Sequence, residues 1–305
     1  MRSIKIILSI TALLSISLLV LPTPQTKAAA QARPTVTMKA TVQSEPARLV
    51  NGSPCLFRVT PAVALESLSG TWLEHKVFFN FDSASGTWYG VAGVGVDTPP
   101  GNHTLTLTGV TSNGERASLS QTVMVNKAVY RTIALSVPKK FTEPDAAMLT
   151  RIKQEQALKE AVFKRVTEER EWSGPFTAPV KTTTSEEFGT QRTFNHVRQS
   201  IHQGLDYHAP AGTPVAALNK GTVVLARELF YEGNCVMIDH GQGLMTIYMH
   251  FSEINVEEGS LVKRGQIIGL SGATGRVTGP HLHVAVRWQG FYLNPATMLT
   301  LELPK

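Results

Sequence analysis

Cysteine is scarce in this chain: 305 residues carry two, Cys55 and Cys235. They stand 235 − 55 = 180 positions apart, in what read as different domains. Export would permit a bridge, but the expectation is two small buried apolar side chains. No cysteine follows the N-terminal apolar run closely enough to suggest a lipid-modified N-terminus. Long apolar stretches are scarce too. The run from Ile6 to Leu21 is about 16 residues, short of the roughly 20 that a spanning helix needs, and nothing later reads as a transmembrane segment. Charge of one sign is in little excess. The formal net charge is +6, and the first 32 residues carry Arg2, Lys5 and Lys27 with no acid, so their loss leaves 6 − 3 = +3. That excess is too small and too scattered for nucleic acid, yet it would not repel an anionic polymer.

With 42% apolar residues the chain can build two compact domains, each with its own core. Residues 1–32 belong to neither. Arg2 and Lys5 precede the apolar run, Pro22 and Pro24 follow it, and Ala28 to Ala32 supply an A-x-A exit. This is the pattern of a secretory signal, with cleavage expected near Ala30 or Ala32 and no membrane span after its removal.

Residues 33–138 read as all-β. Strand-like text runs through Thr35–Val42, Cys55–Val59, Lys76–Phe81, Thr87–Val91, His103–Thr108, Ser118–Val125 and Tyr130–Val137. Turn signals separate these runs at Asn51-Gly52, Asp97 to Asn102 and Ser112 to Glu115. The expected architecture is an immunoglobulin-like β-sandwich, although no Cys–Trp–Cys pattern is present. The Asp97-to-Gly101 run reads as a tight hairpin connection. His75 and His103 have no partner at a useful spacing and read as solvated or edge positions.

Residues 139–184 read as a helical linker. Thr142 to Asp145 opens a helix, with acceptors for the orphan N–H groups of its first turn. Met148, Ile152, Leu158, Ala161, Val162 and Val166 form its apolar stripe, while Arg151, Lys153, Glu155, Lys159, Glu160 and Lys164 form a solvated face. A connecting helix packed on one domain is the expectation, ended by Trp172 to Phe176.

Residues 185–305 hold most of the histidine: seven of the nine fall between His196 and His283. They lie among strand-like segments punctuated by glycine, so the domain reads as antiparallel β with little helix. His281-Leu282-His283 is the sharpest motif, because residues i and i+2 of a strand share a face. His202-Gln203-Gly204-Leu205-Asp206 and Tyr248-Met249-His250 supply further candidates. A catalytic zinc site takes three N or O ligands and keeps an open position. Two imidazoles and one carboxylate leave the ion a strong Lewis acid, and spare histidines suit proton transfer beside it.

These segments resemble the LytM/lysostaphin-type zinc metallopeptidases, which cut peptides of bacterial peptidoglycan. The family's H-x-G-x-D, Y-x-H and H-x-H patterns match His202 to Asp206, Tyr248 to His250 and His281 to His283. Ala209 to Val215, Ile238 to Gly241 and Gly272 to Gly275 also read as family. The resemblance covers about residues 185 to 296. It implies that His202, Asp206 and His283 bind Zn2+, and that His250 and His281 are catalytic, polarising water and stabilising the tetrahedral oxyanion. It also implies a peptidoglycan peptide substrate; the bond cut is not readable from the motifs, with stem-peptide cross-links expected and polyglycine bridges the alternative, and the signal adds a periplasmic or cell-envelope location. Intramolecular control by the N-terminal domain is a further expectation. The alternatives are a non-catalytic wall-binding activator of another hydrolase and an adhesion protein that works through its sandwich.

Other residues read more plainly. His208 could face the same groove by alternation or lie on the surface. His240 reads as a turn residue, and Tyr248 faces with His250 if their strand is regular. Asn195, His196 and Arg198 sit in a loop that could contact substrate or cover the cleft. Gly272, Gly275 and Gly279 form a loop without the G-K-[ST] ending of a phosphate cradle, so nucleotide binding is rejected and a groove rim is expected.

Overall fold

Alternating and β-branched text turns into strands through most of the protein. The computed structural model, which describes residues 35–194 and 198–305, is 48% strand and 9% helix. The expected signal segment, and Asn195 and His196, lie outside the described residues.

The first 90 or so described residues form two sheets. Val36–Thr37, Leu65–Trp72, His75–Phe78, Gly101–Thr111 and Arg116–Asn126 build one, joined by Leu49–Val50. Ala40–Glu45, Pro54–Pro61, Asn80–Asp82 and Thr87–Gly93 build the other. Two runs that read as single strands each divide between the sheets. Thr35–Val42 breaks around buried Met38, and Lys76–Phe81 breaks at buried Phe79. The Asp97-to-Gly101 run is not a hairpin: it crosses from one sheet to the other, since Thr87–Gly93 and Gly101–Thr111 do not pair. Leu65–Trp72 was not legible as a strand. Only Leu68, Gly70 and Trp72 are buried there, between exposed Glu66, Ser67, Ser69 and Thr71, and two of the inward residues are not strand formers.

The strand Thr132–Leu135, expected with the first domain, belongs elsewhere. It pairs in parallel with Gln191–Phe194, which pairs antiparallel with Arg198–Ile201. Thus the boundary expected at 138 does not coincide with a break between sheets, and Arg198 opens a strand rather than lying in a loop.

The linker helix is Ala146–Phe163, with the Asp145 side chain accepting from the Met148 N–H at 2.8 Å. It ends at Phe163, well before Trp172. Leu158, Val162 and Phe163 pack on a cluster around Leu225, Cys235, Met237 and Ile247. Its polar face is not wholly solvated. Glu155 accepts from the Phe230 N–H at 2.7 Å, and Lys159 pairs with Glu232.

The remaining strands form a ten-stranded antiparallel sheet. Two inner strands are Leu282–Trp288 and Leu244–Ile254, which pair with each other, and Leu205–Tyr207 pairs with the other edge of Leu282–Trp288. Leu282, Val284 and Val286 point into the main core, whereas Ala285 packs on the helix side. Cys55 and Cys235 are both buried and unbridged, one in each of two separate apolar clusters. Burial pushes both thiols up, as expected of inert apolar-like side chains.

Candidate metal and catalytic site

Pairing register brings the first candidate ligands together. Asp206 stands directly opposite His283 across two central strands. His202 lies just ahead of the Asp206 strand, where its backbone N–H donates to Thr190 and its carbonyl accepts from Gly189, both at 2.8 Å. Gly204 between them is required by close approach, since a Cβ there would collide with the His283 ring. His202 Nε2 lies 3.0 Å from Asp206 Oδ1 and 3.0 Å from His283 Nδ1, and the third side of the triangle, His283 Nδ1 to Asp206 Oδ1, is 2.7 Å. All three residues are buried.

His250 reaches the site by an irregularity. Tyr248 pairs with Val284 and Met249 with His283, so a regular strand would turn His250 to the face opposite His283. The register against Gly233–Asp239 shifts at this point, and His250 adopts φ +70°. Such a bulge re-aims one side chain. Its ring therefore sits 4.8 Å from His281 and 6.1 Å from His283, centroid to centroid. Tyr248 does not share this face. Its hydroxyl accepts from the Leu218 N–H at 2.8 Å and lies 3.0 Å from the Thr246 hydroxyl, deep in the core.

Backbone carbonyls set the tautomers. Nδ1 of His202, His250 and His281 lies 2.9, 2.8 and 2.8 Å from the carbonyls of Glu187, Thr274 and Gly279. A carbonyl only accepts, so each Nδ1 carries the proton and each neutral ring keeps a lone pair on Nε2. His281 Nε2 is 3.9 Å from Asp206 Oδ1. Burial, then the neighbouring His281 and His283 rings, push the His250 pKa down to about 3. Burial likewise lowers His283, against the pull of Asp206. For Asp206, burial would raise the pKa, but the His283 ring, which can donate at Nδ1, pulls it down and the carboxylate stays ionised.

The cluster lies at the floor of a cleft of about 550 Å³. Thr278, Gly279 and Pro280 form part of its rim, as expected of the glycine-rich loop, and exposed His208 also faces it. Leu135 from the paired strand and Lys159 from the helix contribute to the walls. Arg276 lies over the rings of Phe194 and Tyr231, 4.6 and 4.7 Å from their centroids. Three histidines are elsewhere. His240 is fully buried rather than a simple turn residue: Nδ1 donates to the Lys220 carbonyl at 2.7 Å and Nε2 lies 2.8 Å from the Thr246 hydroxyl. Half-buried His75 packs edge-on against Trp288 and Phe291, so it is an internal contact rather than a solvated position. His103 lies 2.7 Å from the Pro99 carbonyl.

Arg192 was missed. Its Nη2 donates to Asp206 Oδ2 at 2.7 Å and its Nε to Glu186 Oε1 at 2.6 Å. The available signal was a cation placed in a short strand-like run soon after the acid pair Glu186-Glu187.

The donor set fits a zinc ion. Ligand atoms about 2.1 Å from a tetrahedral ion are separated by about 3.4 Å, and the observed triangle is slightly tighter. With Nδ1–H committed to Glu187, the lone pair of neutral His202 faces a carboxylate oxygen, a contact that only a cation or an added proton makes favourable.

Fold and site together define a histidine–carboxylate metallopeptidase domain. Residues 200–295 match the model of Peptidase family M23, and this part of the chain belongs to that zinc-dependent family. The chain is 50% identical over 107 residues to the peptidoglycan DD-endopeptidase ShyA of Vibrio cholerae, covering 35% of this chain and 24% of that protein. It is 44% identical over 98 residues to the DD-carboxypeptidase/endopeptidase Mpg of Neisseria meningitidis, covering 32% and 23%. The chain thus matches about a quarter of the length of these relatives. A solved structure assigned to peptidase M23 of Pseudomonas aeruginosa is similar over 82% of this chain and 94% of its own, with 27% identity and a TM-score of 0.62. That likeness extends well beyond the M23 segment.

Proposed function

We propose that the protein is an exported zinc-dependent endopeptidase that hydrolyses peptide bonds of bacterial peptidoglycan, with stem-peptide cross-links as its substrate rather than polyglycine bridges. The observation that carries the reading is the meeting of His202, Asp206 and His283 with the rings of His250 and His281 in the lining of one open cleft. The names of the Vibrio and Neisseria relatives support the choice of cross-link. Export rests on the N-terminal sequence pattern alone.

In this reading His202, Asp206 and His283 would hold the ion, which would supply Lewis acidity for water and the scissile carbonyl. His250 is neutral at neutral pH and can accept a proton from water at Nε2. The same proton, held at Nε2, can pass to the leaving amine. His281, its Nδ1–H held by the Gly279 carbonyl, stands beside Asp206 Oδ1; once a proton from solvent also occupies Nε2, that N–H would donate to a developing oxyanion.

Asp206→Ala is expected to abolish zinc retention, and His250→Ala to keep zinc and lose turnover by about 100-fold or more. The measurements are metal analysis and mass analysis of fragments released from purified wall, with and without chelator. Normal wall digestion by either variant contradicts the assignment. A wall-binding activator would instead bind wall and release no fragment of its own.

A further inference from the structure

Beside the metal cluster, two carboxylates face each other. Glu186 and Asp206 are cross-strand partners where Thr184–Glu186 pairs with Leu205–Tyr207. Like charges directly opposed destabilise a sheet, and these side chains are only 12% and 7% exposed. The Arg192 guanidinium, 16% exposed, bridges them by separate N–H groups, with Nε to Glu186 and Nη2 to Asp206 Oδ2. The two Asp206 oxygens are therefore divided: Oδ1 meets both imidazoles, and Oδ2 is held by arginine.

We infer that Arg192 is a positioning residue for the metal centre, which ties down Asp206 Oδ2 so that this carboxylate offers one oxygen, Oδ1, to the ion. The inference rests on the metal-binding reading above. A carboxylate with both oxygens free can bind through either or both, which lets the ion gain coordination and lose its vacant corner. The guanidinium fork prevents this while neutralising the second acid. Lysine could not do the same, because a single ammonium cannot present two divergent N–H groups in a fixed plane. The arginine is itself held centrally: Ile133 and Ser200 flank it across the two neighbouring strands.

The test uses the full chain with Zn2+ and Co2+ as probes. Arg192→Met is expected to lower zinc affinity by about 10–100-fold, measured by competition with a chromophoric chelator. It is also expected to shift the visible spectrum of the cobalt-loaded protein from the strong bands of four-coordination toward the weaker bands of five-coordination. Arg192→Lys should restore part of the affinity but not the spectrum. A purely structural role would lower the melting temperature of the metal-free protein and leave the spectrum unchanged. Unchanged or tighter zinc binding in Arg192→Met, with a wild-type cobalt spectrum, overturns the inference, since loss of a nearby cation alone would strengthen metal binding. If Arg192→Met does not fold, Arg192→Lys carries the test by its spectrum. Failure of the wild type itself to bind zinc would instead sink the metal reading.

Discussion

At the scale of single residues, the motifs that could be read were those with fixed spacing on regular backbone. His281 and His283 lie on one side because a strand alternates, and the structure places them so. His250 could not be located this way. Alternation sends it to the wrong face, and only the shift at φ +70° brings it back. Arg192 was hard to read for a different reason: the nearby acid pair was a faint signal, and no local pattern joins the arginine to Asp206. Gly204 offers a direct check. Its Cβ would strike the His283 ring, so Gly204→Ala should displace that imidazole. We expect loss of stoichiometric zinc and a destabilisation of about 1–3 kcal/mol, read by metal analysis and thermal unfolding. His240 offers a second check, by pH. Burial lowers its pKa from 6.5 to about 4, so the unfolded chain takes up the proton first as pH falls. Its neutral state costs nothing above pH 6.5, and stability is lost between pH 6.5 and 4, by up to about 3 kcal/mol. His240→Gln should be less stable at pH 7 but show a flatter slope over that interval, as measured by urea unfolding at each pH.

At the scale of elements, helix and strand existence followed the text wherever apolar periodicity was strong. The central strands of the peptidase sheet are examples, whereas Ala146–Phe163 was legible from its Asp145 cap and helix-forming residues rather than from a strong apolar stripe. Assignment of a strand to its sheet was not legible. Thr132–Leu135 continues the β text of the first part, yet its hydrogen bonds go to Gln191–Phe194. Partner choice depends on contacts some 60 residues away, which periodicity does not encode. The pairing has a consequence for truncation. A chain starting after Asn126 keeps the strand beside Arg192, whereas one starting at Lys139 strips that edge. We expect the shorter chain to bind zinc about tenfold more weakly than the longer one, by the same arginine-dependent loss. Chelator competition on the two truncations measures the difference. Equal affinities would show that Arg198–Ile201 alone holds the arginine in place.

At the scale of the whole molecule, the two early sheets are fastened to the peptidase sheet away from its cleft. His75 packs on Trp288 and Phe291, Asn80 and Gln242 exchange two amide hydrogen bonds at 3.3 Å, and the Asn294 N–H donates to the Gly52 carbonyl at 2.7 Å. The described residues lining the cleft begin at Leu135. Control of the active site by the N-terminal part is a family expectation that this placement turns into a sharp question. A part that restrains the cleft from behind should release activity when loosened, whereas a buttress should only lose stability. The geometry favours the buttress, because the contacts reach the Trp288 end of the central strand while His283 lies near its other end. His75→Ala removes two edge-to-face contacts, worth about 0.5–1.5 kcal/mol each. We expect a lower melting temperature and an unchanged wall-digestion rate per folded molecule at a temperature well below the transition. A rate that rises as the interface weakens would mean that the cleft is held partly closed through the sheet, since none of the described residues before Leu135 reaches it directly.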